Sequence, residues 1–369
     1  MKVLLTTNCP TPYINGFADE LGKLCDLTLV YEMKLAKDRD LSWLMKDGDK
    51  WHFKLIFLNG LPFSVETALS FKIKKIIKKG NFDKIIIANP TTPTGIIAEL
   101  YCRRHKIPYI IQSEGGFQGS GKGFKEKFKK YIMEKATMYL TGMGGDNDYF
   151  LMYGATKDKL RPYKFASQYS NEIMDEPLSD EEKVELRKKL KLSDKKTVLY
   201  AGRFIECKGI DNLLKAFKGL DDKYQLLLIG GILEKKYRDI IDELKISNIT
   251  IIEEFISKEK LMDYFKASDL YIMMTKGDTW GLVINESMSY GLPVITTTAC
   301  VAGVCLIEER VNGFLVDPYD FNSARERIDY ILADDTLRHN MAYSNIEKVK
   351  GYTLENMAST IYKYLEEEK

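Results

Sequence analysis

The chain has 369 residues, 45% of them hydrophobic and 29% charged, which is ordinary globular composition and enough for about two domains. No run of about 18 apolar residues occurs, and the apolar stretch after Met1 is too short for a secretory signal core, so a cytoplasmic protein without a membrane-spanning helix is expected. The net charge of +2 is unevenly placed: residues 1–165 hold 27 Lys+Arg against 17 Asp+Glu and residues 166–369 hold 28 against 36, which suggests two domains with different partners.

Short apolar runs alternate with helical patterns along the chain. The first half predicts strands at Lys2–Thr7, Asp26–Tyr31, Lys54–Leu58, Lys84–Asn89, Pro108–Gln112 and Met138–Thr141. Helices are predicted near Gly16–Leu24, Glu66–Lys79, Gly95–His105 and Lys122–Lys135. Continuously apolar strands such as Ile85-Ile86-Ile87 imply burial on both faces of a parallel sheet. Between about Arg161 and Asp180 the pattern breaks in an aperiodic stretch with two prolines, which reads as an interdomain connection. Alternation then resumes with strands at Thr197–Ala201, Gln225–Ile229, Thr250–Ile252, Asp269–Met274 and Pro293–Thr297. The matching helices are Gly209–Phe217, Glu234–Leu244, Lys258–Ala267, Gly281–Tyr290, Asn322–Leu332, Thr336–Lys348 and a last amphipathic stretch, Thr353–Glu367. The expected architecture is two doubly wound α/β domains, residues 1–165 and 166–352, with a cleft between them.

Two segments carry chemistry. In Ala201-Gly-Arg-Phe-Ile-Glu-Cys-Lys-Gly209, a buried strand gives way to a loop holding Arg203 and Lys208 just before a helix. Ligands bind at the carboxyl ends of strands in open α/β sheets, and helix N-termini favour anions. A guanidinium fork and an ammonium point charge together suit a diphosphate. In Thr275-Lys-Gly-Asp-Thr-Trp-Gly-Leu-Val-Ile-Asn-Glu286, another strand ends on a glycine-containing loop and a helix begins near Gly281. Asp278 precedes that helix and Glu286 lies inside it, a carboxylate pair suited to sugar and ribose hydroxyls. The amides of Trp280, Gly281 and Leu282 would be unsatisfied at the helix start. Glu286 sits among Leu282, Val283 and Met288, where a carboxylate needs a partner.

Together these segments resemble glycosyltransferase family 4, whose members have the GT-B fold. The family's G-R-x4-K-G-x3-L-L-x-A-F motif is met by Gly202, Arg203, Lys208, Gly209, Leu213, Leu214, Ala216 and Phe217. Its E-x7-E segment reads D-T-W-G-L-V-I-N-E-S-M-S-Y-G-L-P-V-I here. The resemblance implies that Arg203 and Lys208 hold the diphosphate of a nucleotide sugar, that Glu286 binds the ribose, and that Asp278 with the amides of Gly281 and Leu282 binds the donor sugar. Gly230-Gly231 matches a glycine-rich turn near the nucleotide, Ile256 would lie near the base, and the loop at Thr6–Tyr13 with Gly16 would face the donor. The 353–369 helix would pack back on the first domain. The implied activity is a retaining, metal-independent transfer, with a nucleotide-diphosphate sugar, a UDP-sugar in the first instance, as co-substrate and no other cofactor. A glycan or lipid-linked acceptor of bacterial surface polysaccharide synthesis follows from the same resemblance. A nucleotide-sugar epimerase, or a non-catalytic nucleotide-sugar-binding protein, would use the same fold.

Two departures stand out: the first acid is Asp278 rather than Glu, and the histidine that many members carry after the fifth strand is replaced by Ser113-Glu114-Gly115-Gly116. Glu114 is a candidate catalytic or acceptor-binding carboxylate. Other signals carry less. Asp146-Asn147-Asp148 imitates a metal motif but opens a helical pattern, where such residues cap. Gly119-Ser-Gly-Lys-Gly123 lacks P-loop spacing, and His105 follows Arg103-Arg104 at a helix end. The six cysteines form no C-x-x-C pair and only three histidines occur, so reduced thiols and no metal site are expected. Finally, residues 122–135 hold six lysines and two glutamates, with Phe124, Phe128, Tyr131 and Ile132 at helical spacing. That pattern fits a helix lying on an anionic membrane surface, or one packing its aromatics on the sheet beneath a solvated lysine face.

Overall fold

The computed structural model describes the chain except residues 37–49, 89, 114–122, 143–145, 255 and 369, and the side chains of Asp146 and Asn147. It divides into two units, Met1–Tyr169 with Tyr352–Lys369, and Ser170–Gly351.

The N-terminal unit holds β1 (Lys2–Thr7), β2 (Asp26–Tyr31), β3 (Phe53–Phe57), a small hairpin of β4 (Leu61–Pro62) and β5 (Ala68–Leu69), β6 (Lys84–Ala88), β7 (Ile110–Gln112), β8 (Met138–Gly142) and β9 (Leu160–Tyr163). Its helices are α1 (Pro12–Gly22), α2 (Lys72–Gly80), α3 (Pro93–His105), α4 (Phe124–Met133), α5 (Asp146–Met152) and the C-terminal α14 (Leu354–Glu367). The sheet is parallel throughout, in the order β3-β2-β1-β6-β7-β8-β9. One face packs Ile73 and Ile77 of α2, Cys102 of α3 and Ile132 and Met133 of α4 onto strand residues such as Leu4 and Ile87. The C-terminal helix α14 packs against α1. Helix starts follow their caps: Thr11 and Thr92 accept from the amides of Ile14 (3.3 Å) and Gly95 (3.0 Å), each followed by a proline in the first turn.

The C-terminal unit holds α6 (Asp180–Lys189), β10 (Lys196–Ala201), α7 (Ile210–Phe217), β11 (Tyr224–Ile229), α8 (Lys235–Leu244), β12 (Ile249–Ile252), α9 (Lys258–Ala267), β13 (Leu270–Met273), α10 (Leu282–Ser289), β14 (Val294–Thr297), α11 (Val301–Leu306), β15 (Gly313–Val316), α12 (Phe321–Ala333) and α13 (Asp335–Val349). Its parallel sheet runs β12-β11-β10-β13-β14-β15. At the amino end of β13, buried Asp269 gathers Lys183 (3.6 Å), Arg187 (2.9 Å) and Arg338 (3.3 Å), which ties α6 and α13 to the strand.

Three local readings change. The expected connection from Arg161 begins instead as strand β9, paired with β8. It occupies the sheet edge, the place where Pro162 costs no ladder bond. The expected helix from Glu66 starts only at Lys72, because residues 61–69 form the β4–β5 hairpin. Short α11 and β15, and the capped helix α6, were not distinguished by periodicity; α6 carries a Ser179–Glu182 capping box.

Candidate active site

All β-strands of the C-terminal sheet point their carboxyl ends the same way, so the loops after β10, β11, β12 and β13 converge. β10 ends at Ala201, and Gly202 donates its amide to the Ile229 carbonyl of the next strand (2.9 Å). The Tyr200 hydroxyl donates to the Arg203 carbonyl (2.9 Å), which shapes the loop and leaves the Arg203 side chain half-buried. A 3₁₀ turn at Glu206–Lys208 then leads into α7 through Gly209, whose φ of +67° is left-handed. A Cβ at Gly209 would stand 1.8 Å from the Met274 carbonyl oxygen, so only glycine lets this turn approach the end of β13.

That approach is fastened by polar contacts. Thr275 Oγ1 and the Lys276 amide both donate to the Cys207 carbonyl, each at 2.7 Å. Lys276 Nζ pairs with Asp211 of α7 at 3.0 Å. The outcome is that Lys208 and Asp278, 70 residues apart, form a direct ion pair between Nζ and Oδ2, with side chains 17% and 12% exposed. Asp278 is itself held by its main chain, which bridges Cys300 and donates to Ala299 O (2.9 Å). Gly281 caps α10 at φ +93° with no side-chain cap, and a Cβ there would lie 2.8 Å from Cys300 Sγ.

Glu286, on the second turn of α10, is half-buried. Burial pushes the Tyr271 phenol well above its ordinary range, with Tyr200, Cys300, Glu286 and Asp278 adding to it, so both site carboxylates bear on one buried ring. Burial, with Asp278 beside it, likewise raises the Cys300 thiol to about 12, so that cysteine is a packing group and no nucleophile. Gly230, at the end of β11, has a steric reason to be glycine: its Cβ would meet the Gly202 carbonyl at 2.5 Å. Gly231 faces open space, and Ile256 is half-buried beyond β12.

The structure therefore brings together Gly202, Arg203, Lys208, Asp278, Gly230 and Gly281 around one loop junction. The Trp280 indole is buried and donates to Asn285 Oδ1 (2.9 Å), which anchors the loop whose main-chain amides were singled out above. Gly16 belongs to the N-terminal unit, inside α1, where a Cβ would strike Leu354 Cδ1 at 2.7 Å; helix packing accounts for it. Glu114 lies outside the described residues, as do Phe255, residues 119–122 and the side chains of Asp146 and Asn147. His105 packs against Tyr101 at the end of α3, with ring centroids 4.4 Å apart and the planes tilted by 39°. On α4, Ile132 is buried in the core while Phe124, Phe128 and Tyr131 are exposed, so the four do not share one environment. Sequence reading missed the Thr275–Cys207 and Lys276–Asp211 fastening, because no local pattern marks partners 65 residues apart.

Two parallel, doubly wound α/β units are the architecture of the GT-B fold. Residues 182–348 match the family described as Glycosyl transferases group 1. That match spans most of the C-terminal unit and less than half of the chain, and with the curated relatives it shows a glycosyltransferase. Among curated relatives, the chain is 25% identical over 342 residues to the capsular polysaccharide biosynthesis glycosyltransferase CapM of Staphylococcus aureus, covering 87% of each chain. Similar folds include sucrose-phosphate synthase from Thermosynechococcus elongatus (TM-score 0.76, 18% identity, 99% and 98% of the two chains). Another is Anabaena HepE in complex with UDP (TM-score 0.76, 16% identity, 100% of both).

Proposed function

We propose that the protein is a retaining, metal-independent glycosyltransferase that moves a sugar from a UDP-sugar to a glycan or lipid-linked acceptor of bacterial surface polysaccharide synthesis. The observation that carries this reading is the Lys208–Asp278 pair beside Arg203 at the end of β10. As the bond between the anomeric carbon and the diphosphate oxygen breaks, negative charge grows on the diphosphate. A pre-positioned ammonium and guanidinium stabilise that charge without reorganising. Asp278 neutralises Lys208 in the pair; a bound diphosphate would take over the ammonium, and the released carboxylate would accept from a donor-sugar hydroxyl. Glu286 accepts from the ribose, Gly281 and Leu282 offer helix-start amides, and Gly231 and Ile256 border the nucleotide. The UDP in the HepE structure and the capsular role in the name of CapM support the donor and the pathway class.

Peripheral placement at the inner face of a membrane belongs to the same proposal, supported by the exposed Phe124, Phe128 and Tyr131 among the lysines of α4. A thermal-shift panel of nucleotide sugars tests the donor: at a hundredfold excess over Kd a true donor stabilises the fold by about 2.7 kcal/mol. Stabilisation by UDP-sugars, with transfer to an added acceptor, is the expected result. Epimerised sugar released without acceptor would overturn transfer in favour of epimerisation.

A further inference from the structure

The β4–β5 hairpin exposes an apolar tip that no sequence pattern announced. Leu61 is 73% exposed and Phe63 71%, with Val65 and, just beyond the hairpin, Phe71 also exposed. The tip is not loose chain. Its turn is closed by the Phe63 amide on Thr67 O (2.9 Å) and by the hydroxyls of Ser64 and Thr67 (2.8 Å). Its base is gripped from below. Ala68 donates its amide to buried Glu32 (2.9 Å), Thr94 Oγ1 donates to Ala68 O (2.6 Å), and the Ser70 amide donates to Thr94 Oγ1 (3.0 Å). Thr92, the cap of α3, donates its hydroxyl to the same Glu32 carboxylate. A buried polar clamp that holds four large apolar side chains in water opposes the ordinary burial of such surface and marks an interaction site.

The place of the hairpin selects the partner. It follows β3, and α4 follows β7; in a parallel sheet both therefore rise from the same carboxyl end. Strand β5 packs against α3, and α3 packs against α4 on the same face of the sheet, so the hairpin and exposed Phe124 stand on neighbouring elements. Exposed lysines stand near both points, Lys72 where α2 leaves the hairpin and Lys125 and Lys127 in the first turn of α4. Two apolar points in a field of ammonium groups complement a bilayer with acidic headgroups: the points enter the acyl boundary and the lysines stay among the phosphates.

We propose that the β4–β5 hairpin inserts into an anionic lipid bilayer, with Phe63 at its tip, and acts with α4 as a two-point contact. The inference rests on the peripheral placement proposed above and adds the element that enters the lipid. It would hold the carboxyl end of the N-terminal sheet at the headgroup plane, where the reacting end of a lipid-linked acceptor lies.

The experiment uses the full chain with vesicles of phosphatidylglycerol and phosphatidylcholine. Wild-type protein should co-sediment with them at low salt and release as salt rises. The triple variant Leu61→Ser/Phe63→Ser/Val65→Ser should lose at least about tenfold in partitioning while UDP-sugar binding is unchanged, which also shows that it is folded. A separate Phe63→Trp variant should show blue-shifted emission, quenched by brominated acyl chains, relative to its parent. Equal sedimentation of the triple variant, or no emission shift in Phe63→Trp on bound vesicles, would overturn the hairpin while leaving α4 and the peripheral reading standing. Failure of wild-type protein to bind anionic vesicles would overturn both. A lipid-free dimer that the triple variant breaks would assign the hairpin to a second copy of the chain instead.

Discussion

The two parallel sheets end in opposite kinds of surface. After β10, β11 and β13 the C-terminal unit uses glycines to bring main chain close to main chain, and sets the ion pairs Lys208–Asp278 and Lys276–Asp211 at the junction. After β2 and β3 the N-terminal unit buries its carboxylate, Glu32, in hydrogen bonds to Ala68 and Thr92 and lifts an apolar hairpin into solvent. The same βα architecture serves both because the strands fix only position. The loops at their carboxyl ends carry the chemistry. Charge that is solvated or paired is available to a phosphate; charge that is buried serves the scaffold.

Four measurements can break or sharpen that contrast. The largest effect is expected at the polar junction: Lys208→Ala should lower kcat by about 10²–10³, the equivalent of roughly 2.7–4 kcal/mol of lost charge stabilisation. Steady-state kinetics at saturating donor decide it, and turnover like that of the wild type would remove Lys208 from the reaction.

The scaffold carboxylate comes next. Burial raises Glu32 from its ordinary 4.5 to about 7, against the lowering contributed by the bonds from Ala68 and Thr92. Its protonated form is thus favoured by folding. The stabilisation is full below about 4.5 and is lost as pH rises through 7, roughly 3 kcal/mol in all. Thermal unfolding should therefore show wild-type protein losing stability relative to Glu32→Gln between about pH 4.5 and 7. Parallel curves for the two would mean that Glu32 is solvated like a surface carboxylate.

A smaller effect is expected from the fastening of the two site loops. Lys276→Gln removes the pair with Asp211, a partly exposed contact worth up to about 1 kcal/mol. The donor KM should rise up to about fivefold with kcat nearly kept. A collapse of kcat would instead place Lys276 against the reacting diphosphate.

The smallest is at Asp278. If its carboxylate serves the sugar, Asp278→Asn should bind bare UDP within about fivefold of wild type while transfer falls, since one exchanged hydrogen bond is worth roughly 1 kcal/mol. Calorimetric titration with UDP checks it. A loss of more than about tenfold would make Asp278 part of the nucleotide site through its hold on Lys208.

Much of this molecule was legible in one dimension. Strand β1 and strand β2 fall where their apolar runs begin and end, and α9 matches Lys258–Ala267 residue for residue. The Gly-Arg and Lys-Gly spacing marked the loop after β10, and Asp278 with Glu286 marked the one after β13. What failed to show was short or edge structure, such as β9 with Pro162, whose pattern is broken because an edge strand needs neither a full ladder nor two apolar faces. The hairpin failed for another reason: Glu66 and Ala68 continue a helix-like pattern into α2, and nothing local records that Glu32 and Thr94 wait to bind Ala68.

The sequence by itself determined the alternation of buried strands and amphipathic helices, hence two parallel sheets, and the residue types at the candidate donor site, because periodicity and glycine spacing act over a few residues. Only the tertiary structure decided that Lys208 meets Asp278, that the Trp280 indole bonds Asn285 and Gly16 lies against Leu354, and that Phe63 and Phe124 are exposed while Ile132 is not. Those outcomes depend on contacts between distant segments, whose free energy is set by the space and the partners that the closed fold leaves, and no local pattern encodes either.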